Sequence, residues 1–266
     1  MELQKLKLVF FSPTGTTKTV VQSIAKGINS NLSELINITT PEARRNSLFT
    51  TEDELLVVAV PVYMGRVPAV VSGWLQTIKA KDTLTVCVVV YGNRAYENAL
   101  LELKDILVQC GCRPIAGAAF IGEHSFSSPE LPSSVGRPDA KDIQQAELFG
   151  KRIKELLQAV ASSKQIECAN IPGSYPYGGV TDLWHVDFIA VSDQCSQCGV
   201  CARGCPTGAI DSLQSSVIDK EKCTLCCACI KHCPRNARTM KAGLMKDAAI
   251  RCTSFKERKE PECFLP

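Results

Sequence analysis

The chain has 266 residues, 45% of them apolar and 21% charged, with a formal charge of +3; these values exclude a disordered or fibrous chain and allow one α/β domain of about 150 residues plus a smaller unit. The start of the sequence lacks a signal-peptide cleavage pattern, and no apolar run approaches the ~20 residues that span a bilayer, so a cytoplasmic protein without membrane contact is expected. The fifteen cysteines are then not a disulfide scaffold, because that compartment keeps thiols reduced; they read as metal ligands.

Taken in chain order, short β-branched apolar runs at 6–11, 33–38, 55–60, 84–91 and 113–121 are predicted strands. The amphipathic stretches 16–28, 68–78, 95–110 and 139–161 are predicted helices. Strands alternating with helices make a doubly wound, five-stranded parallel sheet, whose ligand belongs beyond the C-terminal strand ends. Function is therefore expected in the loops after Phe11, Val60, Tyr91 and Ile121. The last of these, 122–138, is unusually long and holds Ser, Pro and Gly, as a lid or binding segment would. Residues 1–162 form this first domain, and 163–186 is a linker that Tyr175, Tyr177, Trp184 and the following Phe188 mark as packed. Residues 187–240 form a small α+β unit with an internal repeat; in the tail 241–266, Leu244, Ala248, Cys252 and Phe255 share one helical face, predicting a helix folded back on the protein.

The repeat is Cys195-x2-Cys198-x2-Cys201-x3-Cys205-Pro206 followed by Cys223-x2-Cys226-x2-Cys229-x3-Cys233-Pro234. Three closely spaced thiolates wrap one cubane, and the fourth cysteine of each run reaches the other cluster, as in bacterial ferredoxins. One [4Fe-4S] cluster would thus use Cys195, Cys198, Cys201 and Cys233, the other Cys223, Cys226, Cys229 and Cys205. Zinc also accepts four thiolates in C-x2-C pairs, but two complete copies of this run argue against it. Cys227 reads as a packing residue.

After the first strand, Ser12-Pro13-Thr14-Gly15-Thr16-Thr17 runs directly into a helix. Its hydroxyls and N–H groups at the positive end of a helix dipole suit a phosphate monoester, while the plain alternative is an N-cap with a turn. The loop resembles the [S/T]-x-T-G-x-T phosphate loop of flavodoxins and stands where that family places it, which implies FMN. The same resemblance implies that Pro61-Val62-Tyr63-Met64-Gly65 and Tyr91-Gly92-Asn93-Arg94, with Tyr96, flank the isoalloxazine. Tyr63, Tyr96 and Tyr91 would stack on the ring, and the backbone of Met64, Gly65, Gly92 and Asn93 would meet its polar edge.

These loops, the segment 122–127 and the ending 259–265 make the chain similar to the fused flavodoxin-ferredoxin family of anaerobic bacteria and archaea. That resemblance implies an electron-transfer protein passing electrons between two [4Fe-4S] clusters and FMN, coupling one-electron protein donors to a further acceptor. The alternative is an FMN-dependent reductase of a small organic molecule fed by its own ferredoxin domain. No G-x-G-x-x-G follows a strand, so the expected partner is a redox protein, ferredoxin-like or an oxidoreductase, rather than a nicotinamide. The charge of +3 describes the bare polypeptide; eight thiolates on clusters and a flavin phosphate would reverse it, and no nucleic-acid partner is expected. His124 opens the long loop and is the candidate proton donor, with a backbone-bonding loop histidine as the plain alternative. Arg66, Arg94 and Arg137 would offset cofactor charge or bind an anionic substrate.

Overall fold

The computed structural model describes residues 4–180 and 185–266. Trp184, counted above among the linker aromatics, lies outside them. Along the first domain run β1 (Lys5–Phe10), α1 (Thr16–Ile28), β2 (Ser33–Asn37), β3 (Phe49–Thr50), β4 (Glu54–Pro61), α2 (Ala69–Leu75), β5 (Lys79–Ala80), β6 (Thr83–Tyr91), α3 (Ala99–Gln109), β7 (Cys112–Ile121) and α4 (Ala140–Gln158). Then follow β8 (Ile189–Val191), α5 (Val200–Arg203), α6 (Ala228–Lys231), β9 (Arg238–Met240), α7 (Leu244–Cys252) and β10 (Glu262–Phe264).

The main sheet has the order β10-β7-β6-β4-β1-β2. Its five parallel strands, ranked by position in the chain, read 2-1-3-4-5, the flavodoxin-like doubly wound order. Strand order reverses between β1 and β4, so the loops after these strands open a crevice at one sheet end. Every residue of β6 is buried, as a central parallel strand requires, because helices cover both faces. Val20, Val21 and Ile24 of α1 and Phe149 and Ile153 of α4 pack on one face; Val71 and Leu75 of α2 and Leu100, Leu103 and Leu107 of α3 pack on the other. Helices α1 and α4 cross closely, since a Cβ on Gly27 would collide with Glu147 O and one on Gly150 with Ile24 O.

The sixth strand was not in the sequence reading. β10 pairs antiparallel with the edge strand β7, placing Glu262 opposite Ala119 and Phe264 opposite Gly117. The tail otherwise departs from the predicted face. Helix α7 buries Met245 and Ala249, whereas Leu244 is 61% exposed and Phe255 lies beyond the helix end. The buried stripe lies one position on from the predicted one because Met245 packs into the cluster of Phe188, Ile189 and Leu225.

The linker is packed along the sheet edge and through two of the described aromatics, Tyr177 and the following Phe188, which is 4% exposed. Ile171 joins the core against α3, and Ala169 N–H donates to Pro114 O at 2.9 Å. Tyr177 hydrogen-bonds Asp105 at 2.7 Å and lies under the Arg66 guanidinium, while Tyr175 is 81% exposed and meets only the Tyr177 ring, edge-on at 5.2 Å, among the described aromatics.

In the small unit β8 and β9 pair antiparallel, and α5 and α6 are single turns. The two halves repeat their backbone as well as their cysteines: Gln197 and Leu225, Gly199 and Cys227, and Gly208 and Asn236 all take positive φ. Cys227 thus occupies a left-handed position filled by glycine in the first half, and its side chain packs with Phe188, Ile189, Leu225 and Met245.

Candidate functional site

The eight repeat cysteines gather around two cavities. Cys195, Cys198, Cys201 and Cys233 line one, with Ser215, Pro234 and Arg238; Cys205, Cys223, Cys226 and Cys229 line the other, with Pro206, Ile210 and Thr224. Each cavity therefore draws three cysteines from one run and the last from the other. Among the described residues no three Cys, His, Asp or Glu side chains stand close enough to chelate a single ion. Four thiols spread around one void suit a cubane, whose corners hold the sulfurs apart, better than a zinc ion at ~2.3 Å from each. The buried polar atoms without a partner support this fit: Ser215 Oγ and Arg238 Nη1 lie at the first cavity and Thr224 Oγ1 at the second. Such donors are what cluster sulfurs accept from.

The cavities differ in setting. Cys198 is exposed, and the Val200 N–H leads the contacts that hold its thiol below the usual range. Burial pushes the thiols of Cys226 and Cys229 up to about 12. The Cys195 cavity faces outward, and the Cys205 cavity is turned toward the sheet.

At the crevice, a cleft is lined by Pro13, Thr14, Thr16 and Thr17 from the loop before α1, by Pro61, Val62 and Tyr63 after β4, by Val90, Tyr91 and Gly92 at the end of β6, and by residues 122–125 after β7. Gly15 takes φ 95°, which lets the chain turn into α1 with its first N–H groups facing outward. Among the described residues, the N–H groups of Thr14, Gly15, Thr16 and Thr17 and the hydroxyls of Thr14, Thr16 and Thr17 have no hydrogen-bond partner. Unpaired donors converging at a helix N-terminus fit a phosphate. Ser12 serves the loop itself: its Oγ accepts from Lys18 N–H at 3.0 Å, and its N–H donates to Thr39 Oγ1 at 2.9 Å.

Several residues expected at the flavin are not among those that line the cleft. Met64 (φ 51°) and Gly65 (φ 84°) form the tip of a tight turn closed by Tyr63 and Arg66, and Met64 O accepts from Val180 N–H. The Asn93 amide donates to Phe255 O at 2.9 Å and to Glu257 O at 2.8 Å, so it holds the tail. Arg94 pairs with Glu97, and Tyr96 donates to Glu262 at 2.8 Å while packing on Tyr91. These residues border the cleft in sequence, but the returning tail engages Asn93, Tyr96 and the Arg94 carbonyl, and Val180 of the linker engages Met64. The arginines are also engaged: Arg66 forks onto Glu102 at 2.9 and 2.8 Å, and Arg137 onto buried Asp142. Neither offers a free cation to a substrate or a cofactor.

Tyr63 connects cleft and cavity. Its ring meets Phe11 edge-on at 6.5 Å, and its hydroxyl end is sunk beside Cys226 and Cys227, where burial first and then these thiols raise its ionisation well above the usual range. With Val67, Val180 and Thr224 it also lines a small gap between the two units. Around it the second cysteine run is docked on the sheet end. Lys231 Nζ pairs with Glu123 at 2.6 Å and donates to Ser127 O, Phe126 inserts beside Ile230, and Arg44, stacked over Phe11, donates to Pro206 O. Lys231 and Arg44 were not singled out from the sequence, and Glu123, Phe126 and Ser127 were marked only as part of the segment 122–127. They are ordinary polar or apolar types whose role exists only once the two units meet.

His124 lies over Gly92, where a Cβ would collide with its ring. Its Nδ1 accepts from Phe126 N–H at 3.1 Å, and its Nε2 is 3.5 Å from Cys252 Sγ. Burial, then Lys231 and Arg94, lower its pKa to about 4. It is neutral at pH 7, with both ring nitrogens engaged.

Comparison with known proteins adds the following. The 4Fe-4S binding domain family matches residues 189–211 and 216–239. Among solved structures, a flavodoxin from the domain Archaea is 16% identical over 58% of this chain and 99% of its own, with TM-score 0.40. Rubredoxin oxygen:oxidoreductase from the anaerobe Desulfovibrio gigas is 14% identical over 59% of this chain and 37% of its own, with TM-score 0.42. Fusobacterium nucleatum flavodoxin bound to flavin mononucleotide is 15% identical over 57% and 97%, with TM-score 0.37. No curated protein matches the chain. Among the described residues no helix is long and apolar enough to cross a membrane. The chain thus joins a flavodoxin-type parallel sheet to a duplicated 4Fe-4S binding domain.

Proposed function

We propose that the chain binds FMN and two [4Fe-4S] clusters and passes electrons between a protein donor and a further acceptor. When bound, the clusters supply one-electron chemistry and the flavin couples it to one- or two-electron acceptors. The observation that carries this reading is the placement of two four-cysteine cavities, one of which comes close to the cleft at Tyr63, beside Cys226. Thr14, Thr16, Thr17 and the first N–H groups of α1 hold the phosphate; Tyr63 and Tyr91 flank the ring. Cys205, Cys223, Cys226 and Cys229 form the inner cluster site, and Cys195, Cys198, Cys201 and Cys233 the outer one, where an external redox protein exchanges electrons.

A reductase acting on a small organic molecule has less support, because Arg66 and Arg137 are paired internally and the tail crosses the loops beside the cleft. His124 orders the long loop under the tail rather than supplying a proton, since its Nδ1 already accepts and its Nε2 faces a thiol.

Anaerobic purification tests this. The protein should carry about eight iron, about eight labile sulfide and about one FMN per chain. Cys233→Ala should damage the cluster held by Cys195, Cys198 and Cys201, although Cys233 belongs to the other run. Thr14→Ala with Thr16→Ala should weaken FMN binding at least tenfold, since each donor to a charged phosphate is worth roughly 1.5 to 3 kcal/mol. Zinc in place of iron, or FMN binding unchanged in the double variant, would refute the corresponding part.

A further inference from the structure

The two cysteine runs answer to one another residue by residue: Cys195 to Cys223, Cys205 to Cys233, Pro206 to Pro234, Ala209 to Ala237. One step further the correspondence breaks, with Ile210 in the first half and Arg238 in the second. Both side chains line cavities. Ile210 lines the inner one with Cys205, Cys223, Cys226 and Cys229; Arg238 lines the outer one with Cys195, Cys198, Cys201 and Cys233. Equivalent walls of two equivalent sites are therefore aliphatic in one and cationic in the other.

Arg238 is 2% exposed. Its Nη2 donates to Ser215 O, its Nη1 is buried with no partner, and the guanidinium approaches the thiol of Cys229. Among the described residues no carboxylate pairs with it, in contrast to Arg137, which is buried against Asp142. A guanidinium stays charged at any accessible pH and is costly to bury without a counter-anion. The anion for Arg238 is then whatever fills the cavity, and an iron-sulfur cluster with four thiolates carries net negative charge. An added electron makes that charge larger, and a fixed cation at the wall of a desolvated site stabilises the reduced form.

We propose that Arg238 is a built-in cation that raises the reduction potential of the outer cluster above that of its repeat-related inner counterpart, so that electrons rest at the solvent-facing site. The proposal deepens the cluster reading above and rests on it. Contact of Arg238 with Cys229 extends the effect to the inner site, which Arg238 touches at that one cysteine without lining the cavity. Arg238 is a positioning and tuning residue here; the cysteines remain the ligands.

The test is a redox titration of the anaerobic holoprotein followed by electron paramagnetic resonance, with the outer signal identified by its loss in Cys198→Ser. Arg238→Ile copies the other half of the repeat and should make reduction of the outer cluster at least tenfold less favourable, 59 mV for one electron. The inner cluster should move less, and Arg238→Lys should retain most of the native value. If Arg238→Ile fails to load iron, Arg238→Gln, neutral but still a hydrogen-bond donor, carries the same expectation. Two loaded clusters with unchanged potentials in the neutral variant would overturn the role of Arg238 and leave the cluster reading standing. Fewer than two cluster signals in the native protein would overturn both.

Discussion

His124 shows how a polar side chain in a binding loop can be given over to structure. Its surroundings are cationic and apolar: Lys231 from α6 and Arg94 after β6 disfavour protonation, the Cys252 thiol from α7 meets Nε2, and neighbouring Glu123 is already paired with Lys231. With the pKa lowered from the ordinary 6.5 to about 4, the folded protein refuses a proton that the unfolded chain accepts between those values. Stability should therefore be unaffected above pH 6.5 and decline as pH falls from 6.5 toward 4, by about 3 kcal/mol from this group alone. Unfolding midpoints measured across that range should fall less steeply in His124→Gln than in the native protein; equal slopes would remove His124 from the acid response. The same scale shows what single residues disclosed in advance. Thr14, Thr16, Thr17, Tyr63 and Tyr91 were legible because hydroxyls before a helix and aromatics after strands have few other uses, and all five line the cleft. Asn93, Arg94 and Tyr96 sit in an equally suggestive loop, but their partners Glu257, Glu97 and Glu262 come mainly from a tail far along the chain.

Helix packing on the sheet face away from α2 and α3 depends on missing side chains. Gly27 and Gly150 let α1 and α4 approach until backbone touches backbone. Gly150→Ala should lower the thermal midpoint despite alanine's better helix propensity of about 1 kcal/mol, because overpacking at a backbone contact costs about 1 to 3 kcal/mol or more. Gly73 in α2 is exposed with no heavy atom near its Cβ position, so Gly73→Ala should instead stabilise by roughly 0.5 to 1 kcal/mol. A lower midpoint in both variants would mean that the contact at Gly150 is not the cause. Elements of this length were readable: α1 runs from Thr16 to Ile28 as its periodicity predicts, and β4, β6 and β7 begin or end within a residue of their apolar runs. The two-residue β3 and β5 and the three-residue β10 carry too little pattern to be seen, since their pairing is decided by which edge they reach.

For the whole molecule, the ferredoxin-like unit is held on the sheet end from two sides. Lys231, Phe126 and Arg44 fix its near face, and beyond α7 the chain returns across the loops after β6 and β7. There Arg258 pairs with Asp139 at the N-cap of α4 at 2.6 Å, and Arg137 donates to Lys259 O at 3.0 Å. Two modules fastened in this way should exchange electrons as one body. In stopped-flow mixing of holoprotein with limiting reductant, flavin reduction should proceed at a rate independent of protein concentration; a rate proportional to concentration would show exchange between molecules. The sequence announced both modules, but their mutual placement depends on weakly patterned loop and tail residues.

β10 has a further consequence for how this protein is made. The outer edge of the main sheet, β7, ends at Ile121, yet the strand that covers part of it is Glu262–Phe264, which is synthesised long after it. At translation rates of roughly 5 to 20 residues per second, that edge waits on the order of 10 s with unpaired backbone groups, and an open edge invites pairing with other chains. Closure comes only after both cysteine runs have been synthesised, so β10 covers the edge of the nascent sheet when the chain already contains all eight repeat cysteines.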